Sequence, residues 1–141
     1  MSDDMKRSII LDNYQNAKNR AIPSEEGYIK INSNNQSCID NIDIYVKLSN
    51  NLIEDIKYEG EACVIAISST SILSEMLIGK SIEDAKIILE NYFNMIEEKE
   101  YDKNLLDEAN VYEEIYKQPS RKTCATLFAR GMSKIIDNNG E

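Results

Sequence analysis

Residues 37–70 read SCIDNIDIYVKLSNNLIEDIKYEGEACVIAISST and decide the fold of this 141-residue chain. From 42 to 48, apolar and polar residues alternate, which is typical of a strand with one buried face. Asn50 and Asn51 suit the turn of a hairpin, and a returning strand is predicted over 52–59. One face of that strand is marked by three residues: Leu52, Ile56 and Tyr58. The stretch therefore predicts an antiparallel pair of strands.

The rest of the chain adds one strand and several helices. The β-forming residues at 28–31 predict a first strand, so three consecutive antiparallel strands are expected. Apolar residues at helical spacing predict five helices: one over 4–18, one from Cys63 to Gly79, one capped by Ser81 and Asp84, a short one near 105–116, and a last one from Pro119. Small residues predict that the helix after Cys63 is buried against the sheet. A solvated acidic connection is predicted over 97–102.

Length and charge narrow the range of functions. A chain of this length can bury a core without cross-links, and we expect a single domain over 5–137 with short tails at 1–4 and 138–141. No apolar run has membrane-spanning length and no signal-peptide core is visible, so a cytoplasmic location is expected. The net charge of −9 argues against nucleic acid as a partner, since phosphate contacts need clustered Lys and Arg. The acidic surface either suits a partner protein with a basic patch or serves solubility.

The three cysteines are the main candidates for chemistry, because their odd number does not suit a disulfide framework. In an extended backbone Cys38 and Asp40 point the same way, so both could face one ion while Ile39 turns away. Cys63 begins a helix, where free amide groups and the helix dipole favour a thiolate. Cys124 lies on the inward stripe of the last helix. The chain has no fourth cysteine and no histidine, so a four-coordinate soft-metal site needs a carboxylate or an outside ligand. Spacing alone is equally compatible with three unrelated buried thiols.

Two other polar patterns have simpler interpretations. The run from Ser68 to Ser71 has no histidine base, so close helix packing is favoured over a hydroxyl nucleophile. The acidic pairs at 97–98 and 113–114 are interpreted as solvated faces.

Four motifs, in this order along the chain, resemble the U-type iron-sulfur cluster assembly proteins, which include SufU, IscU and the N-terminal domain of NifU. They are SCID at 37–40, YEGEAC at 58–63, GKS at 79–81 and RKTCATL at 121–127. The SufU branch is favoured because Thr123 stands where IscU members usually carry histidine. The long stretch between Cys63 and Cys124, and Arg121 three residues before the last cysteine, are also similar to the SufU pattern.

The resemblance implies an α+β fold, with a three-stranded antiparallel sheet packed on one side by helices. It implies a zinc-dependent sulfurtransferase, a monomer or weak dimer, that accepts sulfur from a SufS-type cysteine desulfurase. Its single zinc ion would be held by four residues: Cys38, Asp40, Cys63 and Cys124. In that mechanism a desulfurase histidine replaces Cys38 on the zinc, and the released thiolate takes the persulfide sulfur. Arg121 either stabilises a thiolate or persulfide or pairs with a surface carboxylate.

Two alternatives to this function stay open. The chain could be a scaffold on which an iron-sulfur cluster is assembled on the same thiolates, although the missing histidine counts against it. It could also be a binding module with a purely structural zinc, which would hold the metal and leave the desulfurase rate unchanged.

Overall fold

A computed structural model describes residues 1–35 and 39–139 of the chain. The helices are α1 (Asp3–Gln15), α2 (Val64–Leu77), α3 (Ile82–Ile96), α4 (Pro119–Ala125) and α5 (Leu127–Asn139). The strands are β1 (Ile29–Asn34), β2 (Asn41–Ser49) and β3 (Leu52–Glu61). Three 3₁₀ segments, Lys103–Leu105, Asp107–Tyr112 and Ile115–Lys117, connect α3 to α4.

The three strands form one antiparallel sheet in the order β1–β2–β3. Three inward-facing residues of β2 are buried, Ile42, Ile44 and Val46, and Leu48 packs against the core while partly exposed. Helix α5 packs on β1 and β2, and α2 packs beside β3. Gly131 brings α5 so close to the sheet that an added β-carbon would lie 2.6 Å from Ile44 Cδ1. The predicted α+β fold, a three-stranded antiparallel sheet with helices on one side, is confirmed.

The hairpin between β2 and β3 corrects one sequence prediction. Asn50 and Asn51 have φ values of +51° and +65°, as a two-residue type I′ turn requires. Beyond the turn, Leu48 lies opposite Ile53 while Lys47 lies opposite Asp55. The extra residue in β3 between these pairs forms a β-bulge, which changes the face that the following side chains occupy. Ile53 is therefore buried, and Leu52, which the alternating pattern assigned to the buried face, is 46% exposed.

The helix boundaries confirm two signals and correct two others. Ser81 Oγ accepts a hydrogen bond from the Asp84 amide, and Gly79 follows α2 with φ +88°, as predicted. The expected short helix near 105–116 is instead three 3₁₀ segments, because Asp107 has a positive φ of 43° and the Asn110 side chain donates to local carbonyls. The single last helix is broken at Thr126, whose hydroxyl donates to the Lys122 carbonyl at 2.8 Å, a local bond that bends helices.

Helix α2 is buried at the centre of the helical layer, and its hydroxyl groups join it to the first helix and the segment that follows. Ser71 Oγ donates to Asn13 Oδ1 at 2.8 Å and accepts from the Lys18 amide at 2.9 Å. Asn19 Nδ2 donates to Ser74 Oγ at 3.1 Å. Because these buried hydroxyls are hydrogen-bonded, they can lie in the core at little cost. The close helix packing predicted for the serine run is confirmed.

The helices within residues 1–35 and 39–139 are all too short or too polar to cross a bilayer. The division into a domain over 5–137 and two tails stays a prediction.

Candidate metal centre

Three side chains that are distant in sequence meet at one end of the sheet. Asp40 directly precedes β2, Cys63 is the N-cap residue of α2, and Cys124 lies on α4. One ligand atom from each of them lies within 4.8 Å of the other two. The structure therefore brings together three of the four predicted metal ligands. The fourth, Cys38, lies outside the described residues.

Asp40 and Cys63 are joined directly. One carboxylate oxygen of Asp40, Oδ1, accepts a 2.8 Å hydrogen bond from the Cys63 amide, and the other, Oδ2, lies 3.8 Å from Cys63 Sγ. The Asp40 side chain is almost completely buried, with 1% exposure of the residue. A buried carboxylate needs such compensation, and the first amides of a helix supply it. The predicted position of Cys63 at a helix N-terminus is confirmed.

Cys124 is the most enclosed of the described thiols, with 8% exposure. Its Sγ lies 3.9 Å from the Ser120 carbonyl oxygen one turn earlier. Burial raises the pKa of this thiol well above its ordinary value, and the nearby Asp40 and Cys63 side chains raise it further. These surroundings favour the neutral thiol, and a metal ion that binds the sulfur displaces its proton.

The three donors fit a small tetrahedral ion. Zinc binds sulfur at about 2.3 Å and carboxylate oxygen at about 2.0–2.2 Å, which puts neighbouring ligand atoms about 3.5–3.8 Å apart. The Asp40 Oδ2 to Cys63 Sγ distance is 3.8 Å, and the remaining separations are no more than 4.8 Å. Two sulfurs and one oxygen suit zinc better than a hard cation such as magnesium.

Gly60 sets the spacing between β2, which Asp40 precedes, and β3, which Cys63 follows. It lies opposite Ile42 in the sheet and has φ +148°. A β-carbon at this position would lie 2.2 Å from the Asn41 carbonyl oxygen and 2.8 Å from the Ile42 Cα. The backbones of β2 and β3 can therefore approach this closely only with glycine here.

Three further residues that support the site were not identified from the sequence. Tyr92, which is fully buried on α3, donates its hydroxyl proton to the Ala125 carbonyl at 2.7 Å, next to Cys124. Ser33 Oγ donates to the Leu127 carbonyl at 2.7 Å. Both bonds hold the chain on either side of the helix break. Their only sequence signal was a polar atom on an otherwise apolar face.

Tyr112, from the second 3₁₀ segment, is the third supporting residue. Its hydroxyl is hydrogen-bonded to Ser68, and its ring meets that of Tyr92 edge-on at 6.4 Å between centroids. Burial raises the pKa of Tyr112 well above its ordinary value. The stretch between the second and third cysteines therefore packs directly behind the candidate site.

Arg121 lies on the exposed side of α4, one turn before Cys124. Its backbone amide donates to the Gln118 carbonyl at 2.8 Å. Within the described part of the chain its guanidinium has neither a hydrogen-bond nor an ion-pair partner. The structure thus gives no support, among these residues, to a surface carboxylate as its partner.

The fold and the Asp-Cys-Cys group can now be set beside the known family that the sequence matches. The NifU-like N terminal domain family matches residues 5–125, and the chain belongs to it. The resemblance stated from the motifs is confirmed.

Individual relatives refine this assignment. The chain is 33% identical over 135 residues to the zinc-dependent sulfurtransferase SufU of Bacillus subtilis (strain 168), an alignment that covers 95% of this chain and 90% of SufU. It is 29% identical over 132 residues to the iron-sulfur cluster assembly scaffold protein IscU of Thermotoga maritima, with 94% and 92% covered. A crystal structure of a candidate cluster assembly scaffold for the SUF system from Fervidobacterium islandicum AW-1 is 28% identical, with a TM-score of 0.81 over 89% of this chain and 91% of that one.

Proposed function

We propose that this protein is a zinc-dependent sulfur acceptor in iron-sulfur cluster assembly, which takes persulfide sulfur from a SufS-type cysteine desulfurase. The observation that carries the proposal is the meeting of Asp40, Cys63 and Cys124 within 4.8 Å. The similarity to a SufU that is named a zinc-dependent sulfurtransferase supports it. Neither a lone structural cysteine nor a solvated carboxylate needs this convergence.

The proposed zinc ligands are the three converging residues and Cys38. Two peptide units join Cys38 to Asp40, so the covalent chain keeps their Cα atoms within about 7.6 Å of each other. That distance is short enough for both side chains to reach one ion. Bound zinc would hold the thiolates deprotonated at neutral pH and so protect nucleophiles that stay available for sulfur transfer.

In the proposed transfer, the Cys38 thiolate attacks the terminal sulfur of the donor persulfide. A sulfur–sulfur bond forms on Cys38, the sulfur–sulfur bond of the donor breaks, and its electron pair leaves on the donor thiolate. No oxidant or reductant is needed. Arg121 would stabilise the negative charge of the thiolate or persulfide, since a guanidinium stays charged and presents several N–H donors. Ile39, the residue between Cys38 and Asp40 in the sequence, is 70% exposed, and this exposure supports the approach of a protein donor to this part of the chain.

The test is a cysteine desulfurase assay with the wild type and Cys38→Ala, together with metal analysis and mass spectrometry. The wild type should bind about one zinc per chain, accelerate desulfurase turnover and gain the mass of one sulfur atom. Cys38→Ala should lose the acceleration and the added sulfur, whereas Thr123→Ala, a matched change next to another ligand, should retain both. A Cys38→Ala variant that is as active as the wild type would exclude Cys38 as the acceptor.

Assembly of a cluster on the same thiolates is the second candidate function, and the scaffold names of the Thermotoga and Fervidobacterium proteins favour it. It predicts cluster absorbance in protein prepared without oxygen, with no acceleration of the desulfurase. A purely structural zinc predicts no cluster absorbance and no acceleration of the desulfurase. The absorbance spectrum and the desulfurase rate together separate the three functions.

A further inference from the structure

A groove of about 470 Å³ runs beside the candidate metal centre. Its walls are α1, the first turn of α2, the 3₁₀ segments and the start of α4. Apolar side chains line it: Ile10, Leu11, Val64, Ile65, Val111 and Ile115. The groove adjoins the metal ligands at two points, because Val64 follows Cys63 in α2 and Arg121 precedes Cys124 by one turn of α4.

The rim of this groove carries basic residues that its acidic residues do not neutralise. Lys6 lies 3.5 Å from Glu113 and 3.9 Å from Glu114. In contrast, Arg7 and Arg121 have no ion pair with any residue in 1–35 and 39–139. Two acidic residues, Asp3 and Glu114, also line the groove, so its three basic residues exceed its acidic ones by one. Because the whole chain carries a net charge of −9, this small basic excess, with two arginines outside any ion pair of the described chain, differs from the chain's overall acidity.

We propose that the groove receives an acidic and apolar segment of the sulfur-donating protein; this proposal rests on the proposed function. Arginine guanidinium groups bind carboxylates through two parallel hydrogen bonds. The apolar floor, with Leu11 still 43% exposed, needs an apolar cover that a small free anion does not supply. A folded segment with both kinds of side chain satisfies the rim and the floor together.

The charge distribution would also orient the segment that binds in the groove. An acidic segment is repelled by most of this protein's surface and attracted at the groove, so it would dock in one register. The groove lies beside both Cys63 and Cys124, and docking there would bring the donor's reactive cysteine to the metal centre. The groove thus accounts for how a partner finds the site without contacting the ligands first.

The decisive variant is Arg7→Glu, because Arg7 lies at the rim on α1 and is not part of the proposed metal or sulfur chemistry. Lys134→Glu is the matched control: it makes the same change of charge at an exposed position on α5, where the lysine forms no ion pair with any other residue of the described chain. Each variant is titrated with a purified SufS-type desulfurase at low and physiological salt. Arg7→Glu should bind about tenfold or more weakly and the control within about twofold, with zinc content unchanged in both.

Two sulfur donors separate the failure of this proposal from the failure of the proposed function. Sulfur transfer from the desulfurase should be slowed in Arg7→Glu, whereas transfer from inorganic polysulfide, which is too small to span the groove, should be unaffected. Equal desulfurase affinity in Arg7→Glu and wild type would overturn the docking role and leave the function intact. An equal loss with polysulfide would also overturn it, because Arg7 would then act on the thiols. A wild type that binds the desulfurase through Arg7 but accepts no sulfur would refute the function and retain the groove.

Discussion

Replacing Gly60 with alanine should separate Asp40 from Cys63 and so weaken metal binding at the candidate centre. The new β-carbon would lie 2.2 Å from the Asn41 carbonyl oxygen and 2.8 Å from the Ile42 Cα, and neither atom is a flexible side-chain end. The start of β2 must therefore move away from the end of β3. Because Asp40 immediately precedes β2, its carboxylate would be displaced from the Cys63 amide.

The size of the effect follows from two contributions. An L-residue at such a positive φ costs about 1–3 kcal/mol. Moving the strands apart also weakens about two ladder hydrogen bonds, each worth about 1 kcal/mol. We therefore expect Gly60→Ala to lower the free energy of unfolding by about 4 kcal/mol, which corresponds to a fall in Tm of about 15 °C for a chain of this size.

Gly79→Ala is a matched control for this prediction. Gly79 also has a positive φ, +88°, but an added β-carbon there would have no neighbour within 4 Å. Gly79→Ala should therefore lower the free energy of unfolding only by the cost of a positive φ in an L-residue, about 1–2 kcal/mol. It should leave zinc binding unchanged. The assay is thermal unfolding of both variants with zinc analysis of the purified proteins. Equal falls in Tm, or full zinc occupancy in Gly60→Ala, would refute the steric argument.

Three further predictions concern the core and the surroundings of the site. Ile53→Ala should lower the free energy of unfolding in urea by about 2–5 kcal/mol, because Ile53 is buried, and Leu52→Ala should lower it by less than about 1 kcal/mol. Equal losses would contradict the β-bulge. Tyr92→Phe should lower the free energy of unfolding by about 1–3 kcal/mol, because the Ala125 carbonyl loses its donor. It should also weaken zinc binding in competition with a chelator. An unchanged zinc affinity would show that this hydrogen bond does not position Cys124. Burial raises the pKa of Tyr92 and Cys124, so the folded metal-free protein retains both protons at a pH where the unfolded chain releases them. Its free energy of unfolding should therefore fall as the pH rises above about 8.5, and a constant or rising value would contradict this.

The sequence predicted those parts of the fold that depend on local signals. The alternation in β2, the paired asparagines of the turn and the serine cap of α3 each act within a few residues, and all were confirmed. The buried face of β3 was wrong near its start because a β-bulge changes the face of the residues around it without changing their composition. The break at Thr126 was missed for a similar reason, since its apolar stripe continues into α5 while the Thr126 hydroxyl competes for a backbone carbonyl.

The sequence allowed the candidate ligands of the site to be proposed, but it did not identify the residues that hold the backbone around them. Cys63 and Cys124 could be proposed because the chain has only three thiols, and Asp40 because it lies two residues after the third thiol, Cys38. Tyr92 and Ser33 act by donating to backbone carbonyls, and any residue type can present a carbonyl. Such contacts depend on how the elements pack, so they are visible only in the three-dimensional structure.

The two carboxylate oxygens of Asp40 contact different groups, and this affects how an ion could leave and re-enter the site. Oδ1 is committed to the amide at the start of α2, and Oδ2 faces the sulfur of Cys63. Departure of an ion would therefore remove one contact of the carboxylate while the other keeps it anchored. The empty centre would retain its shape and could be refilled without refolding the chain.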